Sequence, residues 1–263
     1  MEANTPVFRT AGLSYAYKNG PMAVRSLDLS IVPGKITAVV GANGSGKSTL
    51  FSLLTGYLKP DDGSIYLKGQ DIRAVGRRDF ARQVSVVNQY NTVPADMTVR
   101  KLISMGRTPY SRMYHYGLTP EDMEAIETAM EVTDTAQFAG RAVSSLSGGQ
   151  RQRVWLAMAL AQSMDTLLLD EITTYLDIHY QLELLHLLKN LNETRGTTIV
   201  VVLHDINQAM QFCDEAVVMH QGGLLAAGPV VDTITEDVLE RAFQVGVHIT
   251  AVDALPFCIC SLK

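Results

Sequence analysis

Apolar and polar positions pass through three rhythms along the chain, and each predicts a different arrangement of elements. Up to about residue 70 the pattern is that of short strands. Residues 27–32 alternate, 35–40 form a β-branched run suited to a buried strand, and 64–68 follow the turn Lys59-Pro60-Asp61-Asp62-Gly63. Residues 84–87 read as one more strand. From about Thr98 to Ser163 the period lengthens to that of helices. Thr119-Pro120-Glu121-Asp122 supplies a cap, a proline for the first helical position and acids for the first turn. Met123, Ile126, Ala129 and Met130 then keep helical spacing. After Thr166 strands and helices alternate. Leu167-Leu168-Leu169 is a continuous apolar strand, and 178–194 is a helix with Leu182, Leu185, Leu188 and Leu191 on one face. Residues 197–203 form a strand, 206–212 a helix, and 216–220 and 224–227 short strands. The tail carries a helix at 238–243 and a terminal strand pair. Such βαβ alternation predicts an α/β fold, a parallel sheet covered by helices, with the central helical stretch inserted into it.

Composition narrows the classes. With 263 residues, 47% apolar and 19% charged, the chain can bury a core of one large α/β domain or two small ones. The net charge of −5 comes without a basic stripe, so no nucleic-acid surface is expected. The longest apolar runs, such as 36–40 and 199–203, fall far short of the roughly 20 residues a membrane helix needs. Met1-Glu2-Ala3-Asn4-Thr5-Pro6 carries an acid and no apolar run, so no targeting segment is expected. Any membrane role is therefore that of a peripheral subunit. Cys213, Cys258 and Cys260 form no zinc pattern and read as reduced thiols. The one-residue gap between the last two suits an alternating strand.

Two stretches carry chemistry on their own terms. Gly41-Ala42-Asn43-Gly44-Ser45-Gly46-Lys47-Ser48 fits G-x-x-x-x-G-K-[ST] in full, between a strand ending at Val40 and a helix starting near Ser48. Its glycines let backbone N–H groups converge on phosphate oxygens, and the helix N-terminus adds positive potential. Lys47 neutralises the β- and γ-phosphates, and Ser48 offers a hydroxyl to Mg²⁺. Leu167-Leu168-Leu169-Asp170-Glu171 is an apolar strand ending in two acids, where open α/β sheets face their ligands. Asp170 suits a Mg²⁺ ligand, and Glu171 a base that polarises the attacking water.

Leu146-Ser147-Gly148-Gly149-Gln150, followed by a helical stretch and then the acidic strand end, resembles the signature motif of ABC transporter ATPases. A hydroxyl, two glycines and a helix start make a second phosphate-binding nest. The resemblance covers essentially the whole chain and implies an ABC cassette of the P-loop NTPase fold. That fold has a mostly parallel core sheet, an N-terminal antiparallel β part and an inserted α-helical subdomain. The core is expected at 1–89 and 161–263 and the helical signature subdomain at 90–160. In the family the second nest reaches nucleotide on a partner subunit, so two ATP molecules are sandwiched in a homodimer. Position by position, Tyr17 matches the aromatic that stacks on adenine, with Tyr15 an alternative. Residues Asn43 to Thr49 (Asn43, Gly44, Ser45, Gly46, Lys47, Ser48, Thr49), with Gly41, match the phosphate loop, and Ser48, Gln89 and Asp170 the Mg²⁺ site. Gln89 matches the glutamine that joins core and insert, Asp177 the aspartate that crosses the dimer interface, and His204 the switch histidine beside the γ-phosphate. Ile172 departs from the pattern, which has proline after the catalytic glutamate. Hydrolysis with a more loosely positioned Glu171 and slower chemistry are both open.

Thr173-Thr174-Tyr175-Leu176-Asp177-Ile178, Gln181-Leu182-Glu183-Leu184-Leu185, 203–209 and Met105-Gly106-Arg107-Thr108-Pro109-Tyr110 resemble the branch serving iron–siderophore, haem and cobalamin importers. The resemblance implies an ATP-hydrolysing subunit at the cytoplasmic face of the cell membrane. It would work with a separate permease and a substrate-binding protein, not with nucleic acid. Tyr110, Tyr114, His115 and Tyr116 read as exposed aromatics, either in a flexible surface loop or lining a contact with the permease. A soluble ABC ATPase acting on DNA or ribosomes is the alternative. It would carry long coiled coils, zinc hooks or duplicated cassettes, none of which the sequence displays. A P-loop kinase would need an acceptor site and no second nest.

Overall fold

Five-residue runs of β-branched and small apolar residues form strands buried along their whole length at Ile36–Val40 and Thr198–Val202. The computed structural model describes residues 5–18, 20–89, 91–111, 117–253 and 255–262. In chain order its strands are β1 (Phe8–Ala16), β2 (Met22–Ile31), β3 (Ile36–Val40), β4 (Asp62–Leu67), β5 (Gln70–Asp71), β6 (Val84–Val87), β7 (Thr166–Asp170), β8 (Thr198–Val202), β9 (Glu215–His220), β10 (Gly223–Pro229), β11 (Gly246–Val252) and β12 (Leu255–Ser261). The helices are α1 (Lys47–Leu54), α2 (Arg77–Gln83), α3 (Val99–Met105), α4 (Pro120–Val132), α5 (Gly148–Gln162), α6 (Ile178–Arg195), α7 (Ile206–Phe212), α8 (Val230–Thr233) and α9 (Glu236–Phe243). The chain divides into two compact units, 1–74 with 198–263, and 75–197.

In the first unit an antiparallel sheet runs β2-β1-β4-β5, and a second layer runs β10-β9-β3-β8. There β3 lies parallel to both β8 and β9, while β10 closes antiparallel on β9. Phe8, Leu13, Leu27, Ile31 and Ile65 of the antiparallel sheet and Leu50, Leu53 and Leu54 of α1 are fully buried. The terminal pair β11–β12 forms its own two-stranded sheet. Among the described residues, side chains and not further strands hold its edges. Asn207 of α7 accepts from the Cys258 N–H (2.7 Å) and donates to the Cys258 carbonyl (3.3 Å), an amide standing where a neighbouring peptide would. On the other edge, Glu240 accepts from the Val247 N–H (3.2 Å) and Glu236 from the Ile249 N–H (2.7 Å).

In the second unit β6 and β7 pair in parallel, and α3, α4 and α5 bury Leu102, Ile103, Ile126, Ala129, Val154 and Leu160. Thr119 caps α4 as its sequence predicts: its hydroxyl accepts from the Asp122 N–H, and the Asp122 carboxylate accepts from the Thr119 N–H. Asp122 is also buried against Arg107, at 2.8 Å. Burial opposes its ionisation, but the Thr119 and Arg107 bonds prevail and hold its pKa below the ordinary carboxylate value. Two expected core positions move. Met123 is 40% exposed, because α4 turns its capping acid inward instead, and on α6 Leu184 joins the buried face while Leu182 stays exposed. Tyr110, expected to be exposed, is partly buried. Its ring lies 3.7 Å from the Arg107 guanidinium carbon, and its hydroxyl donates to the Gln162 carbonyl at 2.9 Å. Tyr114, His115 and Tyr116 lie outside the described residues.

Candidate nucleotide site

Parallel pairing decides where the chemically active side chains emerge. In the first unit Val39 of β3 faces Val202 of β8, and the Leu203 N–H still donates to the Val39 carbonyl. Gly41 and His204 each follow two residues later, so the glycine loop and the exposed His204 leave the same end of neighbouring strands. In the second unit Val87 faces Leu169, and two residues beyond stand Gln89 and Glu171. The Gln89 amide donates directly to the Glu171 carboxylate. Asp170 closes β7 just before Glu171.

Residues 41–48 are shaped by positions that only glycine tolerates. Gly41 (φ +150) and Gly46 (φ +104) pack against backbone: an added Cβ would lie 2.3 Å from the Met219 carbonyl oxygen and 2.4 Å from that of Ala23, respectively. Gly46 is also the N-cap of α1 and gives no side-chain cap, so the first N–H groups of the helix are not taken by a capping side chain. Lys47 is buried and folds back over the loop, its ammonium donating to the carbonyls of Gly41 (2.8 Å) and Ala42 (3.2 Å). Ser45 Oγ is buried without a hydrogen-bond partner among the described residues. Asn43, Gly44 and Ser48 are on the surface. Tyr17, half exposed, meets Tyr15 edge-on and shares a hydrogen bond with the Thr49 hydroxyl (3.3 Å). That bond ties the aromatic to the first turn of α1, a contact the sequence spacing of 32 residues did not reveal.

The second glycine motif is built differently. Ser147 is the N-cap of α5: its hydroxyl accepts from the Gln150 N–H (3.3 Å), and Gln150 Oε1 accepts from the Ser147 N–H (3.1 Å). Gly148 is exposed. Gly149 is buried, and a Cβ there would come within 2.5 Å of the Tyr180 ring. Close packing of α5 on α6 thus requires Gly149, a reason beyond the approach to phosphate expected from the motif. Asp177 caps α6 by accepting from the Tyr180 N–H at 3.1 Å. Between the two, Glu171 adopts a left-handed backbone (φ 49), and Ile172 beside it is buried.

A buried lysine, backbone N–H groups left uncapped by glycine and an adjoining aromatic define a nucleotide-binding P-loop. The family model described as ABC transporter matches residues 24–174, more than half of the chain, and the chain belongs to that family. It binds ATP and is an ATPase. It is 41% identical over 226 residues to the iron(3+)-hydroxamate import ATP-binding protein FhuC of Bacillus subtilis (strain 168), covering 86% of this chain and 84% of that one. A solved ABC transporter in an inward-facing conformation superposes with a TM-score of 0.84 at 25% identity, over 98% of both chains. A dimeric bacterial ABC transporter cassette superposes with a TM-score of 0.72 at 25% identity, over 85% of this chain and 98% of that one. Among the described residues no helix is long and apolar enough to cross a membrane.

Proposed function

We propose that the chain is the ATP-hydrolysing subunit of an importer for iron chelates, working as a homodimer against a membrane permease on its cytoplasmic face. A separate substrate-binding protein delivers the cargo. Ferric hydroxamate is the first cargo to test, being the one for which the 41% identical Bacillus subtilis relative is named. The observation that carries the catalytic part is the Gln89–Glu171 hydrogen bond, which orients a carboxylate at the end of a parallel strand.

In this reading Tyr17 stacks on adenine, a contact worth ~1–3 kcal/mol in comparable base-stacking sites. Gly41, Asn43, Gly44, Ser45, Gly46, Lys47, Ser48 and Thr49 bind the phosphates. Glu171 takes the proton from water as it attacks, Gln89 holds the Glu171 carboxylate, and His204 donates to the γ-phosphate. Ser48, Gln89 and Asp170 offer a hydroxyl, an amide and a carboxylate, an all-oxygen donor set that suits Mg²⁺. When bound there, Mg²⁺ supplies charge neutralisation to the phosphates. Ser147, Gly148, Gly149 and Gln150, with Asp177, complete the pocket of the partner protomer. The subdomain at 90–160 carries the motion to the permease.

Glu171→Gln separates binding from chemistry. Turnover falls by roughly 10²–10³-fold, within the range of a positioned general base, while ATP binding and an ATP-held dimer persist in gel filtration. Normal hydrolysis by this variant removes Glu171 from its role. Uptake of ferric hydroxamate, haem and cobalamin by cells carrying the chain with its permease distinguishes the cargo.

A further inference from the structure

Cys258 and Cys260 belong to no part of the nucleotide site. They occupy alternate positions of β12, so both side chains leave the strand on one face, with their sulfurs 3.7 Å apart. Cys258 is buried and Cys260 is exposed. We propose that Cys258 and Cys260 are an oxidation site, closing into a reversible intrastrand disulfide when the exposed sulfur meets a peroxide.

The steps balance with hydrogen peroxide as the oxidant. The Cys260 thiolate attacks one peroxide oxygen; an S–O bond forms, the O–O bond breaks, and the departing hydroxide takes up a proton as water. The Cys258 sulfur then displaces the hydroxyl from the Cys260 sulfenic acid. The S–S bond forms, the S–O bond breaks, and the Cys258 proton leaves with the hydroxyl as a second water. Two thiols lose two electrons and two protons, and one peroxide becomes two waters. Desolvation, reinforced by the neighbouring Cys260, pushes the Cys258 thiol up to about 12. It is therefore the resolving partner and not the first nucleophile.

Alternate Cα atoms of an extended strand are about 6.6 Å apart, at the long end of the ~4.4–6.8 Å that a disulfide spans. Closure therefore draws β12 tight, and a bond formed under that tension is readily reduced again. The pull falls on the Cys258 peptide, whose N–H and carbonyl are both held by the Asn207 side chain. Asn207 lies in the first turn of α7, whose capping residue Asp205 directly follows His204. The oxidised form thus loosens the hairpin from α7. This holds whatever role His204 plays.

The full chain is treated with hydrogen peroxide, the remaining thiols are alkylated, and the products are weighed and peptide-mapped. Of the three free thiols, Cys258 and Cys260 become unavailable and the mass falls by two hydrogens. Dithiothreitol reverses the change, and the Cys258 amide exchanges its hydrogen faster in the oxidised form. In Cys258→Ser, or Cys258→Ala where serine disturbs folding, Cys260 sulfenic acid accumulates and is captured by dimedone. In Cys260→Ser, Cys258 stays a thiol. A wild-type chain that passes straight to Cys260 sulfinic acid overturns the proposal. So does one that links Cys260 between two molecules, or one that keeps all three thiols at peroxide levels that oxidise the unfolded chain.

Discussion

Two glycine motifs open helices in this chain, and they are held by opposite means. At Gly41–Ser48 the backbone does the holding: left-handed glycines press against the Met219 and Ala23 carbonyls, and the N-cap gives no side chain to α1. At Ser147–Gln150 side chains do it. Hydroxyl and amide satisfy each other's N–H groups, and Gly149 serves the contact with Tyr180. The first motif leaves its donors to an anion through a close backbone approach that only glycine permits. The second takes up only the Ser147 and Gln150 N–H groups in its own cap, with the exposed Gly148 between them. That fits a loop that grips nucleotide by itself and a second one that acts only when a partner delivers it.

The contrast sharpens at Arg107, which supports the side-chain-held unit away from both motifs. Arg107→Ala strands the buried Asp122 carboxylate and is expected to cost ~3–5 kcal/mol in denaturant melts, the penalty for breaking a buried pair. Because the Asp122 pKa is lowered in the fold, the stability it contributes is complete above its ordinary value of 3.8. It is lost as pH falls through the lowered value. The gap between wild type and variant therefore narrows in acid, and a gap that widens there contradicts the assignment. Next in size is Gly46→Ala. A left-handed alanine carries ~1–3 kcal/mol of strain on top of the Ala23 contact, so affinity for a fluorescent ATP analogue drops at least several-fold. Unchanged affinity would mean that the backbone is not what holds the first motif. Smallest is Ser147→Ala, expected to lower stability by ~1 kcal/mol for a lost cap. It leaves ATP binding by the separate chain intact and slows turnover of the assembled dimer. Full turnover in that variant breaks the proposed division of labour.

Legibility in the sequence followed the range of the interactions. The phosphate loop, the acids ending β7 and the Thr119 cap are written in consecutive residues, where spacing and residue type carry the physics. Helix α2 gave no periodic signal because it buries none of its residues. The choice of Leu184 over Leu182 depends on how α6 is rotated, which a leucine-rich stretch leaves open. Tyr110 looked like a surface aromatic because the Arg107 and Gln162 groups that bind it lie on other elements. Among the site residues, the Gln89–Glu171 bond spans 82 positions and follows only once β6 and β7 are paired in register.

The clamps on the terminal hairpin have a consequence for solubility. A two-stranded sheet presents two bare edges, each able to recruit a strand from another molecule and seed aggregates. Asn207 on one side, and Glu236 with Glu240 on the other, occupy backbone groups that such recruitment would need. Three polar side chains thus act as gatekeepers against fibre growth along this hairpin.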